Sequence, residues 1–185
     1  LCAAYAFQIP YLTKNTPGYG DPLQPVFFGA AVLLGLGLWS SRITERWRVP
    51  ALAAVFWYLG HCVIKAAPSP HIDVWVWHNE AIRALLDGHN PYTMTMPNIY
   101  AGTQFYDPSM VQGSRVNTGY QYPPLSLLLS IPGYVFGDCR YSMLFALVGT
   151  FVCLAYARPS SLAAPAICLW LFTPRTLFVL EQAWT

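Results

Sequence analysis

Two apolar runs lie close together in the first third of the chain, PVFFGAAVLLGLGLWS at 25–40 and VPALAAVFWYLGHCVIKAA at 49–67. Each is about long enough, as a helix rising 1.5 Å per residue, to cross the roughly 30 Å hydrocarbon core of a bilayer. The connection between them, SRITERWR at 41–48, sets Arg42, Arg46 and Arg48 against a single Glu45. Cationic excess in so short a loop predicts that it is cytoplasmic, with Trp39 and Trp47 as interfacial anchors. The second span then carries the chain outward, and residues 68–122 form an extracytoplasmic loop.

That outer segment has its own pattern. Val74, Trp77, Ala81, Ile82, Leu85 and Leu86 recur at helical spacing, Asp73 stands where an N-cap belongs, and Gly88 stands where a helix would stop. The spacing predicts an amphipathic helix on the outer membrane surface, floated at the headgroups by Trp75 and Trp77. The tyrosine-rich stretch from Asn90 to Pro124 reads as ordered loop. Apolar character returns at 123–141, where Pro132 and Gly133 are expected to break it, and again at 141–157. Further breaks follow at Pro165 and Pro174. Strict alternation takes the chain inward across 123–141 and leaves Arg158 outside, against the charge bias. A partly re-entrant run after Pro123 is the alternative. The expected fold class is therefore all-α: a polytopic transmembrane bundle with a long extracytoplasmic loop holding an interfacial helix. Residues 1–67 would be the N-terminal spans and 123–185 further ones.

Composition supports this pattern. Of the 185 residues 55% are apolar, 16% aromatic and only 10% charged, against roughly a quarter charged in ordinary soluble domains. The opening LCAAYAF and the closing LEQAWT suggest a piece cut through spans, and Lys14 lies on the wrong side of the apolar residues for a signal peptide. The five cysteines form no CxxC pair, so neither a disulfide framework nor a zinc site is expected. No repeat or low-complexity tract appears, and nothing points to nucleic acid.

Candidate chemistry concentrates in PSPHIDVWVWHNEAIRALLDGHNPY, residues 68–92, which carries three histidines, three carboxylates and an arginine. In the simplest reading Asp73 caps a helix whose other charges face water. The context suggests more: an ionisable group at the outer end of a span, a surface helix, a tyrosine-rich loop and then Tyr122-Pro123-Pro124 would wall a cavity suited to a substrate with a lipid tail and a polar head.

The order PHIDVWVWHNEAIRALLDGHNPY, YQYPPLSLLLSIP, FGDCRY resembles the N-terminal part of the GT-C superfamily of integral-membrane glycosyltransferases, especially bacterial polyprenyl-phosphate-mannose-dependent mannosyltransferases. The resemblance spans about residues 49–185. It rests on Asp73 early in the first large outer loop, on Gly88, Asn90, Pro91 and Tyr92, and on Tyr122, Pro123 and Pro124. It implies transfer of a mannose-like sugar from a polyprenyl-phosphate donor to a glycan or glycolipid acceptor, with inversion and with Asp73 as general base. The membrane would be a bacterial plasma membrane, with the site on its extracytoplasmic face. Glu80, two helical turns beyond Asp73, is an auxiliary catalytic candidate. Lys65 and Arg175 are candidates for the donor phosphate, against the ordinary snorkelling of cations near span ends. His78, Tyr92, Tyr122 and Gln182 complete the expected substrate-binding set. Tyr106 and Tyr120 are further aromatic candidates for stacking on sugar, and Glu181 would line the cavity beside Gln182 if the break after Pro174 faces outward.

Some relatives pair two acids around a divalent cation. Here Val74 follows Asp73, so no metal ligands and no cofactor are indicated; a divalent cation, as in those relatives, is the alternative. Arg140 beside Asp138 is expected to be a cytoplasmic ion pair or a helix-end device. The contrasting reading is a membrane transporter of a small polar or lipid-linked substrate, since intramembrane carboxylates and proline-broken helices also mark transport pathways. A non-catalytic scaffold is a third.

Overall fold

A computed structural model describes residues 29, 32–33, 36, 45–157 and 170–184. Most of the expected first span, the first half of the arginine-rich loop, Arg158 and the Pro165 break lie outside the described residues. The described chain is mostly helical. Its helices are α1 Glu45–Ala66, α2 Asp73–Leu86, α3 Pro124–Val135, α4 Arg140–Ala157 and α5 Pro174–Glu181. By length and composition two of them, over Trp47–Ala66 and Arg140–Ala157, can cross a membrane. The helix α1 begins at Glu45, so the second half of the arginine-rich stretch is its first turn. Glu, Arg and Trp all tolerate helix there.

The chain divides into two compact units. The first contains α1, α4 from Leu144 onward and α5. Leu52, Phe56, Leu59, Phe151, Leu171, Leu177 and Leu180 are buried within it. Phe56 meets Phe172 edge to face at 5.7 Å, and Trp57 lies against Phe145 at 4.6 Å between ring centroids. Gly60 permits a close approach: a Cβ there would overlap Leu144 and stand 3.1 Å from Leu180 Cδ2.

The second unit runs from Pro70 to Met143, with Gln182–Thr185. In α2 the stripe residues Val74, Trp77, Ala81 and Ile82 are buried. Leu85 is half-buried, and Leu86 is exposed at the end of the helix. The stop at Gly88 takes the expected form, with φ +78°, the Gly88 N–H on Leu85 O and the His89 N–H on Ala84 O. Two expectations are corrected. Ile72 is the N-cap and Asp73 the first helical residue, whose Oδ1 accepts the Val74 N–H at 2.9 Å. Trp77 is only 6% exposed and Trp75 is half-buried, so neither ring floats free at a headgroup. Both pack in a core with Met96, Tyr120, Leu127 and Cys139. Periodicity shows that a face is buried, not what buries it.

Between α2 and α3 the chain is ordered by short devices. A 3-10 turn at Pro91–Thr93 is capped by the Asn90 side chain, and another at Pro108–Met110 by Asp107. Two-residue strands β1 Met96–Pro97, β2 Val111–Gln112 and β3 Arg115–Val116 make a small antiparallel sheet in the order β1-β3-β2, with Met96 and Val111 both opposite Val116. Gly113, at φ +62°, turns the β2–β3 hairpin. This sheet is absent from the all-α expectation; strands this short leave no periodic trace.

The apolar run after Pro123 departs most from expectation. It forms one 12-residue helix, α3, which continues through Pro132 to Val135. At 1.5 Å per residue this is about 18 Å, too short to cross the hydrocarbon core. Pro132 and Gly133 do not break it. Gly133 instead lets the helix press on the start of α4, where its N–H donates to Ser142 Oγ at 2.7 Å and a Cβ would stand 2.6 Å from Cys139 O.

Candidate functional site

The first turn of α2 places Asp73 at the helix start, half-buried. A negative charge there lies against the positive end of the helix dipole. The Tyr106 hydroxyl donates to Asp73 Oδ2 at 3.3 Å. With Val74 N–H on Oδ1, each carboxylate oxygen holds one donor and keeps a lone-pair direction open. Among the described residues Asp73 is in no ion pair.

Three phenols sense this carboxylate. Burial raises the Tyr106 pKa well above the ordinary phenol range, and the Asp73 charge and hydrogen bond add to it. Tyr100 and Tyr122 are also raised, first by burial and then by the Asp73 charge. All three therefore stay protonated near neutral pH, and the Tyr106 O–H is bonded to the carboxylate. Their rings come from separate places. Tyr100 packs at 4.4 Å from Phe105 and 5.9 Å from Tyr106, with His71 edge-on at 5.7 Å. Phe105 is 61% exposed, which leaves an aromatic ring open beside Tyr106, 5.0 Å away between centroids.

Behind this front lies a buried polar network. His78 is buried, and its Nδ1 is 2.9 Å from Val74 O. A carbonyl only accepts, so Nδ1 carries the proton and Nε2 is the acceptor, with the Tyr120 hydroxyl at 3.2 Å and Ser126 Oγ at 3.3 Å. Burial lowers the His78 pKa, against a smaller raising effect of the Val74 carbonyl. The Tyr122 ring lies 5.3 Å from His78 and 6.1 Å from Trp77.

The NPY and YPP elements meet. Asn90 Oδ1 accepts the Tyr92 N–H at 3.0 Å, the Tyr92 hydroxyl donates to Tyr122 O at 3.0 Å, and the Tyr120 N–H donates to Pro91 O at 2.9 Å. Gly119, at φ +62°, passes so close to the Tyr92 carbonyl that a Cβ would overlap it. Two sequence elements thirty residues apart are thus one device that sets Tyr122 beside α2.

Several expected site residues have other partners or belong to the first unit. Glu80 turns to Arg83, at 3.4 Å and exposed, rather than to Asp73. His78 is 1% exposed and fully engaged, so it is a core residue supporting the site and not a surface that touches substrate. Tyr92 is committed through its hydroxyl to the Tyr122 backbone. Lys65, in the last turn of α1, and Arg175, with its guanidinium 5.6 Å from the Phe178 ring, belong to the first unit, as does buried Glu181. Gln182 is buried in the second unit. Arg140 and Asp138 form a buried pair at the start of α4: Asp138 Oδ1 accepts from Arg140 N and Nε, both at 2.9 Å, and Oδ2 from a terminal guanidinium nitrogen at 2.6 Å. It is an ion pair and a helix-end device together. Tyr100 and Phe105 were missed by sequence reasoning; the only signal was aromatic density in a loop. Among the described residues no three His, Cys, Asp or Glu side chains gather as metal ligands would. No family model, curated protein or solved structure matches the chain.

Proposed function

We propose that this chain is the N-terminal part of a polytopic membrane glycosyltransferase of the GT-C kind, acting on the extracytoplasmic face. It moves a mannose-like sugar from a polyprenyl-phosphate donor to a glycan or glycolipid acceptor. The observation that carries the reading is Asp73: a half-buried carboxylate, free of any ion pair among the described residues, with an open lone pair on each oxygen and an aromatic front beside it. An acceptor hydroxyl that hydrogen-bonds to Asp73 gives up its proton as its oxygen attacks the anomeric carbon. The sugar is inverted in a single displacement, and the polyprenyl phosphate leaves with the bonding electron pair. Tyr106 fixes the rotamer of Asp73, and the exposed ring of Phe105 offers an apolar face to a pyranose.

The test is sugar transfer from radiolabelled polyprenyl-phosphate sugars by membranes carrying the protein, beside Asp73→Asn. Loss of transfer by a factor of about 10² to 10⁴ in the variant, with donor retained, supports a general base. Equal transfer by both proteins removes Asp73 from the chemistry. Substrate flux without transfer moves the protein to the transporter reading.

A further inference from the structure

We propose that α3 does not cross the membrane but lies along its outer leaflet with one face in the acyl chains, so that α4 runs from outside to inside. The proposal rests on the membrane reading above and not on sugar transfer. Leu125, Leu128, Leu129, Val135 and Phe136 are 53–74% exposed. At 100° per residue they fall with Pro132 within about a third of the helix circumference. Leu127, Ser130 and Gly133, on the opposite side, are buried. A helix of about 18 Å with one large apolar face uncovered suits an interface better than a crossing. The occupant is lipid because α3 leads, across only Phe136–Cys139, into a helix long and apolar enough to span. The uncovered face is thus continuous with a membrane segment. Contacts agree: α3 folds with α2 and the first residues of α4 in the compact unit Pro70–Met143.

Packing inside the first unit gives an independent direction for α4. Gly60 of α1 meets Leu144, and Trp57 meets Phe145. One residue forward along α4 goes with three residues back along α1, the sense of antiparallel helices. Leu144 is about 6 Å into α4, and Gly60 is about 9 Å from the Ala66 end of α1. The start of α4 therefore lies at the Ala66 end. Had α3 crossed, α4 would start at the Glu45 end and Leu144 would lie beside Val49, about 16 Å from Gly60. With α4 running inward, Arg158 falls on the same side as Arg42, Arg46 and Arg48, and its conflict with the charge bias disappears. The extracytoplasmic segment then extends from about Pro68 to Cys139.

The test uses the whole chain in sealed membranes, with native cysteines replaced and single cysteines at Ser41, Ala101 or Ser160, probed with a membrane-impermeant maleimide. The expected result is that Ala101→Cys labels from outside while Ser41→Cys and Ser160→Cys label only after permeabilisation. If Ser160→Cys labels from outside together with Ala101→Cys, α3 crosses and the proposal fails. If all three label alike in sealed membranes, the chain does not span and the membrane reading fails with it. Should the cysteine-free chain not accumulate, an epitope inserted at Ser160 of the unaltered chain reads the same sidedness by antibody access before and after permeabilisation. Depth is read with a fluorophore at Leu129→Cys and nitroxide lipids: stronger quenching by nitroxides near the headgroup than at the bilayer centre is expected, and the reverse order overturns the proposal. None of these readouts involves sugar transfer, so the two proposals fail separately.

Discussion

The two units are held together differently. In the first, helices meet through rings and a glycine: Phe56 on Phe172, Trp57 on Phe145, Gly60 under Leu144. Such contacts are many, small and tolerant, and within a bilayer packing alone must hold the helices together. In the second, directional bonds set the geometry. Asp138 grips Arg140, Asn90 caps Tyr92, Tyr92 reaches Tyr122, and His78 joins Val74 to Tyr120 and Ser126. Hydrogen bonds specify direction where apolar contacts specify only proximity. The unit that must hold a carboxylate in place is the one built from them.

Asp138→Ala should break this contrast most severely. It strips a buried guanidinium of its carboxylate and removes the cap on α4, for an expected loss of about 3–5 kcal/mol. Chemical denaturation in detergent would measure it, and a loss below about 1 kcal/mol would show that the pair is peripheral. Gly119→Ala comes next, because its φ of +62° and its overlap with the Tyr92 carbonyl involve backbone that cannot step aside. About 2–3 kcal/mol is expected at a strained position of this kind, read by chemical denaturation in detergent.

A smaller effect follows pH. Burial lowers the His78 pKa in the folded protein, so below the unfolded value of about 6.5 the unfolded chain binds more protons and stability falls on acidification. The loss is at most about 1.4 kcal/mol per pH unit. It ends once pH drops through the folded pKa. Melting curves from pH 7.5 to 5 should show this slope, and His78→Gln should flatten it. Gly60→Ala should cost least, within about 1 kcal/mol, because the nearest atoms are the ends of the Leu144 and Leu180 side chains, which can rotate. A larger loss there would mean that the first unit is as rigidly specified as the second. Reactivity gives a final contrast: the Cys139 thiol, pushed up to about 12 chiefly by burial, should resist maleimide at pH 8 until the unit unfolds.

Much of this was legible along the chain. Periodicity located α2 and its buried stripe, Gly88 its end, and apolar length the two span-competent helices, because each depends on residues within a few turns of one another. Asp73 stood out through its place between a span and an amphipathic helix. Local pattern does not say what α2 packs on: a stripe tryptophan such as Trp77 suits headgroups or a protein core equally, and here it belongs to a core. Nor does local pattern separate a 12-residue surface helix from a crossing, since Leu125, Leu128 and Leu129 look the same in either setting. His78 illustrates the limit most clearly: a histidine beside a candidate base reads as a ligand in sequence, and only the convergence of Val74, Tyr120 and Ser126 makes it a satisfied core residue. The Asp73 surroundings depend on partners 27 to 49 positions away, Tyr100, Tyr106 and Tyr122. The sequence by itself determined where α2 lies, where it stops and which of its sides is apolar, because short-range sterics and spacing govern these. Which groups meet across the loop was decided only by tertiary structure, where the bonds of Asn90, Tyr92 and Gly119 close a chain segment that no local rule could fold.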